Sequence, residues 1–205
     1  MPPHPQGPEG YDGTRDIVRR ARDRGADGFR ELYERIAPSL VAWARLRAGG
    51  KGLSASDVED LLQEIWLRAF EEFPAYDEAR SSFRAWIFGI AKNVLYEAWR
   101  QGVRRTDSTP SAAASALGAW PDVATTIRTR LARDEAVETL LARAESFDLL
   151  DRKLLLHCGF EGMSCAAAAR QLGLQAAAAG KRWQRLRTRL AERDIAGLFD
   201  LGEGA

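Results

Sequence analysis

Between Asp57 and Phe73 the apolar residues recur with a helical period and the run ends at a proline, and this constrains the chain more than any other feature. Leu62, Ile65, Trp66, Ala69, Phe70 and Phe73 fall at i, i+3, i+4, i+7, i+8 and i+11, while Asp57, Asp60, Leu61, Glu64, Arg68 and Glu71 share the opposite side of the wheel. Ser54 or Ser56 can cap the start, and Pro74, which has no amide hydrogen to donate, stops the helix. The same period returns on both sides of it. Gly28–Ala48 places Phe29, Leu32, Tyr33, Ile36, Leu40 and Trp43 on one face, and Ser82–Arg100 does so for Phe83, Ile87, Ile90, Ala91, Val94 and Ala98. No Val/Ile/Thr-rich alternating run suggests a sheet. The expected fold is all-α, with a three- or four-helix bundle over residues 14–100. Residues 1–13, whose first ten include four prolines, are expected to be disordered.

A second unit is expected beyond a connector. The stretch from Gln101 to about residue 129 contains TDSTPSAAASALG and has few large aliphatic residues, so it reads as a flexible linker. Arg130–Ala144 and Asp151–Phe160 then read as helices. Next comes EGMSCAAAARQLGLQAAAAGKRWQRLRTRLAER, in which Ser164 caps a short helix to Leu172, Gly173 supplies the turn and Leu174 anchors it. A longer basic helix follows over Ala176–Arg193. This spacing predicts a helix-turn-helix over residues 130–198, with a tail at 199–205. Ala168 and Ala169 suit a close helix crossing, and Lys181, Arg182, Arg185 and Arg189 are spaced to meet phosphates along a groove.

Charge separates the two units although the whole chain carries a net charge of only +1. Residues 57–78 hold eight acids against Arg68, a net of −7, and residues 170–193 hold seven bases against Glu192, a net of +6. One end therefore suits a basic partner and the other an acidic one such as DNA. The two cysteines, Cys158 and Cys165, are too few for a disulfide framework and read as packed structural thiols. With only His4 and His157 beside them, a zinc site would have to recruit carboxylates, so neither a metal nor a cofactor is expected. No apolar run approaches the ~18 residues of a membrane span, and the N-terminus lacks the basic start and apolar stretch of a signal peptide, so a cytoplasmic protein without membrane insertion is expected. No phosphate-binding glycine loop, nucleophile elbow or ligand cluster points to an enzyme.

Two motif blocks carry a resemblance. DVEDLLQEIWLRAFEEFPAYD followed by FRAWIFGIAKNVLYEAWR resembles the core of the extracytoplasmic-function (ECF) group of bacterial sigma factors, whose pattern is an acidic D-x-x-Q-E helix and then a W-x-x-x-I-A-x-N helix. Gly162–Met163–Ser164, Leu172–Gly173, Lys181–Arg182 and Arg185–Leu186–Arg187 resemble, in order, the promoter-binding helix-turn-helix of the same group. The resemblance spans about Thr14 to Arg193. It implies a sigma region 2 over 14–100, which binds polymerase and recognises and melts the −10 element, and a region 4 over 130–198, which binds the −35 element. The implied partners are promoter DNA and core RNA polymerase, through the clamp helices of its largest subunit and the flap of its second-largest, with an anti-sigma factor as a further admissible partner.

Site residues follow by position. The resemblance places Asp57, Asp60, Leu61, Gln63 and Glu64 at the polymerase, Trp86, Asn93, Glu97 and Arg100 at the −10 element, and Lys181, Arg182, Arg185 and Arg189 at the −35 element. Trp86, Asn93, Glu97 and Arg100 also fall within about 60° of one another on a helical wheel, beside the core stripe, where an aromatic ring and hydrogen-bonding neighbours could hold an unstacked base. Glu97 stands where the group commonly has Asp. Ala176–Ala179 and Gly180 occupy the start of the recognition helix, where polar residues are usual, so upstream recognition would rest on the cations and DNA shape. Two other readings compete. A free-standing helix-turn-helix regulator leaves the acidic helix and the Trp86–Asn93 stripe unexplained, and a purely protein-binding adaptor leaves the basic helix unexplained.

Overall fold

The computed structural model describes residues 9–48, 54–102 and 134–191, together with 195, 198 and 199. The described elements are helical throughout. In chain order they are α1 (Glu9–Arg24), α2 (Ala26–Ala48), α3 (Ala55–Glu72), a 3-10 turn at Phe73–Ala75, α4 (Phe83–Gly102), α5 (Glu135–Glu145), α6 (Leu149–Leu154), a π-helical segment (Leu155–Phe160), α7 (Cys165–Leu172) and α8 (Ala176–Ala191). None of them is long and apolar enough to cross a membrane.

Local chemistry explains the boundaries. Ser54 and Asp57 form a reciprocal capping box at the start of α3, which satisfies two amides at a terminus that has no carbonyls to offer them. Asp134, Asp148 and Ser164 cap α5, α6 and α7 with side chains that accept from first-turn amides. Gly173 closes α7 with φ +68, a left-handed position where a β-carbon is strained. Pro74 enters the short 3-10 turn that ends α3.

One expectation about the N-terminus changes. Residues 9–13, expected to be disordered, begin α1, and the first residues of the chain, 1–8, lie outside the described ones. Helix α1 turns at Gly25 (φ +57) and packs back along α2. The approach is close enough that a β-carbon on Gly28 would come within 2.4 Å of the Arg20 carbonyl oxygen.

The wheel of α3 is also rotated from its expected position. Leu61, expected opposite the core, is buried with Val58, Ile65 and Ala69, and Phe70, expected inside, is 40% exposed. Phe70 still meets the ring of Phe29 edge-on at 5.3 Å. The buried stripe therefore runs 58–61–65–69, at i, i+3, i+7 and i+11, while Trp66 and Phe73 meet Phe29 of α2 ring to ring.

Helix α2 is the spine of the molecule. Leu32, Ile36, Leu40 and Trp43 are buried along its length, with Ile87, Phe88 and Leu95 of α4 against the same core. Its C-terminal part also meets the second half of the chain, so the expected pair of separate units forms a single continuous core. Phe88 of α4 contacts Phe160 at 6.0 Å between ring centres, and Arg45 of α2 pairs with Glu138 of α5. Residues 103–129 of the expected linker lie outside the described residues, and its first two positions belong to α4. Phe199, expected to begin a tail, is instead buried along with Ile195 and Leu198.

Candidate nucleic-acid interface

Three surfaces carry the candidate residues. On α3, Asp57, Asp60 and Gln63 are exposed, Glu64 is partly exposed, and Leu61 is buried. Asp57 is committed to the cap: hydrogen bonds from the Ser54 hydroxyl and amide hold its carboxyl below the usual range. Glu64 accepts from Arg68 Nε at 2.7 Å, so Asp60 and Gln63 are the more open groups of this stripe.

Arg68 then reaches across to α4, where Nη2 donates to Glu97 at 2.6 Å. That bond, followed by burial and by Glu64, governs the arginine, and its net effect is to raise the pKa. The same bond lowers that of Glu97. The Glu64–Arg68–Glu97 bridge thus spans from the acidic stripe to the outer face of α4. Glu97 therefore has a partner within the fold, where the sequence placed it at a base.

The outer face of α4 runs Trp86, Gly89, Asn93, Tyr96 and Arg100, one residue per turn. Trp86 is half-buried, with its ring centre 5.0 Å from Tyr76, 5.3 Å from Phe83 and 6.4 Å from Phe73. The space above Gly89 is open, since a β-carbon there would meet nothing within 4 Å. Beyond this notch Asn93 and Arg100 are exposed, and between them Tyr96 is 50% exposed with its ring edge-on to Trp99 at 5.6 Å. A large aromatic side chain left this open forgoes the gain from burial, and with Lys92 and Arg100 beside it the surface is cationic and stacking-competent. Sequence reading missed Tyr96 because the motif drew attention to Trp86. The signal was present: position 96 lies off the apolar face and on the Asn93–Arg100 stripe.

In the second half, α7, Gly173 and α8 form the expected helix-turn-helix. Ala168 and Ala169 are fully buried at the crossing, and the Leu174 amide donates to the Ala169 carbonyl at 2.9 Å. The four cations divide into two pairs. Lys181 and Arg185 lie on the exposed face together with Gln184, which the sequence reading passed over and which has the amide to read an adenine edge. Arg182 turns inward to Asp148 and Asp151 at the start of α6. Arg189 lies 3.8 Å from Asp151 and 4.6 Å over the ring of Phe147. Ala176, Ala177 and Ala178 are exposed at the tip of α8 and Ala179 is buried under it.

The thiols are both free. Cys158 is buried, and desolvation, with Cys165 as the second cause, pushes its pKa up to about 12, which suits a packing role.

Known proteins match this arrangement. The family of sigma-70 region 2 matches residues 32–105, which run from α2 through α4. The ECF RNA polymerase sigma factor BldN of Streptomyces coelicolor is 29% identical over 94 residues, 46% of this chain and 34% of that protein. SigD of Mycobacterium tuberculosis is 33% identical over 84 residues, 41% of this chain and 39% of SigD. Residues 32–105 thus carry a sigma-70 region 2, and the relatives that match this part of the chain are ECF RNA polymerase sigma factors. The chain spans only about a third of BldN, whereas the RNA polymerase sigma factor NccH of Alcaligenes xylosoxydans is 27% identical over 179 residues, 85% of this chain and 90% of NccH. Among solved structures, the match to CnrH in complex with the cytosolic domain of CnrY covers 88% of this chain and 96% of that chain, with 26% identity and a TM-score of 0.45.

Proposed function

We propose that this chain is an ECF sigma factor that directs core RNA polymerase to promoters and helps open them, as a binding subunit and not a catalyst. The observation that supports this best is the geometry joined by Arg68. A packed pair of helices presents an acidic stripe on α3 and, beside it, a cationic aromatic stripe on α4, and Arg68 bridges the two through Glu64 and Glu97. A protein that must hold a basic polymerase surface while capturing an unstacked base needs that pairing.

In this reading Asp60 and Gln63 dock on the clamp helices of the largest polymerase subunit. Asn93, Tyr96 and Arg100, with the rim of Trp86, receive the non-template strand of the −10 element. Lys181, Gln184 and Arg185 face the −35 element and the second half meets the polymerase flap, while Arg182 and Arg189 brace the recognition helix from within. The basic face of α8 and the acidic face of α3 also disfavour a stand-alone regulator or an adaptor, since each of those readings leaves one face without use.

In vitro transcription with core polymerase tests the assignment. Asp60→Lys should keep the fold and lose co-purification with core enzyme. Asn93→Ala should bind polymerase normally but fail on a duplex promoter, with most of the activity returning on a template melted in advance. Wild-type transcription of the duplex by Asn93→Ala would remove the base-capture role.

A further inference from the structure

The ring that backs Trp86 belongs to a segment held by a different helix. Between α3 and α4 the chain passes through the 3-10 turn and then residues 76–82, which form neither helix nor strand. Tyr76 is the hub of this segment. Its buried ring packs on Trp86 at 5.0 Å, on Phe83 at 5.6 Å and on Phe73 at 6.2 Å between centres. Its hydroxyl donates to the Ser81 carbonyl at 3.0 Å and its amide to the Phe73 carbonyl at 3.1 Å, so the segment closes on itself through one residue. The Asp77 carboxylate accepts from the Ala79 amide at 2.9 Å and the Asp77 carbonyl from the Arg80 amide at 3.1 Å.

The hold comes from α1. Arg22 Nη2 donates to the Tyr76 carbonyl at 2.6 Å, the guanidinium carbon lies 5.9 Å from the centre of the Tyr76 ring, and Nη1 is 3.6 Å from the Glu78 carboxylate. One planar fork thus meets the backbone and ring of a single residue and the side chain two positions on, which a compact ammonium could not do at once. Helix α1 gives Arg22 a fixed base, because Gly28 lets it lie directly against α2 and Arg20 Nε donates to Glu31 of α2 at 2.9 Å. A backbone carbonyl in an irregular segment still needs a donor, and this one takes it from 54 residues upstream. A line of direct contacts therefore runs from α1 through Arg22 and Tyr76 to the indole of Trp86.

We propose that Arg22 is a positioning residue for promoter opening: by pinning Tyr76 it fixes the ring behind Trp86, and with it the rim that receives an unstacked base. This rests on the strand-opening reading of α4 given above. An aromatic platform holds a base out of the duplex only while the platform keeps its own place, so a displaced Tyr76 weakens capture without removing any group that touches the base. Arg22 needs no contact with DNA for this. Polymerase docking is spared, because Gln63, the nearer of the two docking residues on α3, stands ten residues before Phe73, about 15 Å along the helix.

Promoter opening by the full chain with core polymerase tests the role, and amide hydrogen exchange of the free protein tests the hold. Arg22→Ala should keep its helical circular dichroism and its polymerase binding, open a duplex promoter roughly tenfold more slowly, as fits the loss of one charged hydrogen bond, and recover on a template melted in advance. Arg22→Lys, which keeps a donor for the carbonyl, should regain part of the rate. Arg19→Ala removes the same charge from the same helix, where Arg19 pairs with Asp16, and should open promoters as wild type does. In the free chain Arg22→Ala should speed exchange at the Tyr76, Ala79 and Arg80 amides by a similar factor. Opening at the wild-type rate by Arg22→Ala overturns the positioning role. So does an equal loss on duplex and melted templates, which would make Arg22 a phosphate contact, or an equal loss in Arg19→Ala, which would make the effect one of net charge. Unchanged exchange at the three amides overturns the hold on Tyr76. If wild type itself opens no duplex promoter with core polymerase, the sigma-factor reading and the role built on it both fail, while exchange still decides whether Arg22 holds the segment.

Discussion

Arg68 and Arg182 occupy matching positions in the two halves, with opposite results for the surface around them. Each is an arginine from one helix held by two carboxylates, Glu64 and Glu97 for Arg68, Asp148 and Asp151 for Arg182. In the N-terminal half the cation consumes acids, and the neighbouring stripe is left with its base-reading groups exposed. In the C-terminal half the acids consume a cation, and the net +6 counted along the sequence shrinks to a narrower face at Lys181 and Arg185. Charge counted along a chain is an upper bound on the charge a ligand meets.

The rings of α4 make the sharpest version of this comparison. Trp86 packs on three other aromatic rings, so Trp86→Ala should lower unfolding free energy by about 3 kcal/mol, at the low end for removing a core aromatic. Tyr96→Ala should stay within about 0.5 kcal/mol of wild type, as an exposed change does, and yet slow promoter opening. Chemical denaturation beside a duplex-template transcription assay reads both. Equal stability losses would put Tyr96 in the core and end its role as the open platform.

Acid comes next. Glu161 lies buried in the seam between α2 and the second half of the chain, where it accepts from Trp43 Nε1 at 3.0 Å, pairs with Arg47 and stands 3.0 Å from His157 Nδ1. Burial pushes its carboxyl up, yet these partners bring it down to about 2 against an ordinary 4.5, so its stabilisation is complete above about pH 4.5 and disappears as pH falls toward 2. That shift corresponds to on the order of 3 kcal/mol. Denaturation midpoints followed over this window should fall steeply in wild type and much less in Glu161→Gln. Glu97, also lowered but at the surface, should add little to the slope because solvent screens its pair with Arg68.

The smallest effects separate the cations of α8. Arg182→Ala should cost about 1 kcal/mol of stability through its lost ion pairs and leave the salt dependence of DNA binding nearly unchanged. Lys181→Ala and Arg185→Ala should do the reverse, keeping stability while each reduces the slope of log affinity against log salt by about one unit. If all three lowered the slope equally, Asp148 and Asp151 would not be holding Arg182 away from the phosphates.

Helix starts were legible in the sequence because caps are local chemistry: Ser54 and Ser164 bond amides within three residues of themselves. The helix-turn-helix was legible for the same reason, through Gly173. What failed needed distant partners. A wheel fixes the angle between Leu61 and Phe70 but not which of them is buried: Leu61 turns inward, while Phe70 meets Phe29 only edge-on and stays 40% exposed. The roles of Glu97 and Arg182 depended on residues 29 and 31 or more positions away. The seam had no local signature, since Glu161 reads as an ordinary turn residue until Trp43 and Arg47 are brought over it.

The π-helical segment gives that seam an unusual dependence. A π turn amounts to one extra residue accommodated within an α-helix, and it advances everything after it by about 100° around the axis. Here the wide ring is closed by the Glu161 amide on the Leu156 carbonyl, just before the carboxylate enters the seam. Removing any one residue other than His157 between Leu155 and Phe160 would let the helix relax to its ordinary pitch and swing Glu161 off α2, with the identity of its partners intact. The alignment of the two halves is therefore encoded in the count of residues through a single turn, and a one-codon deletion would disengage it where many substitutions would not.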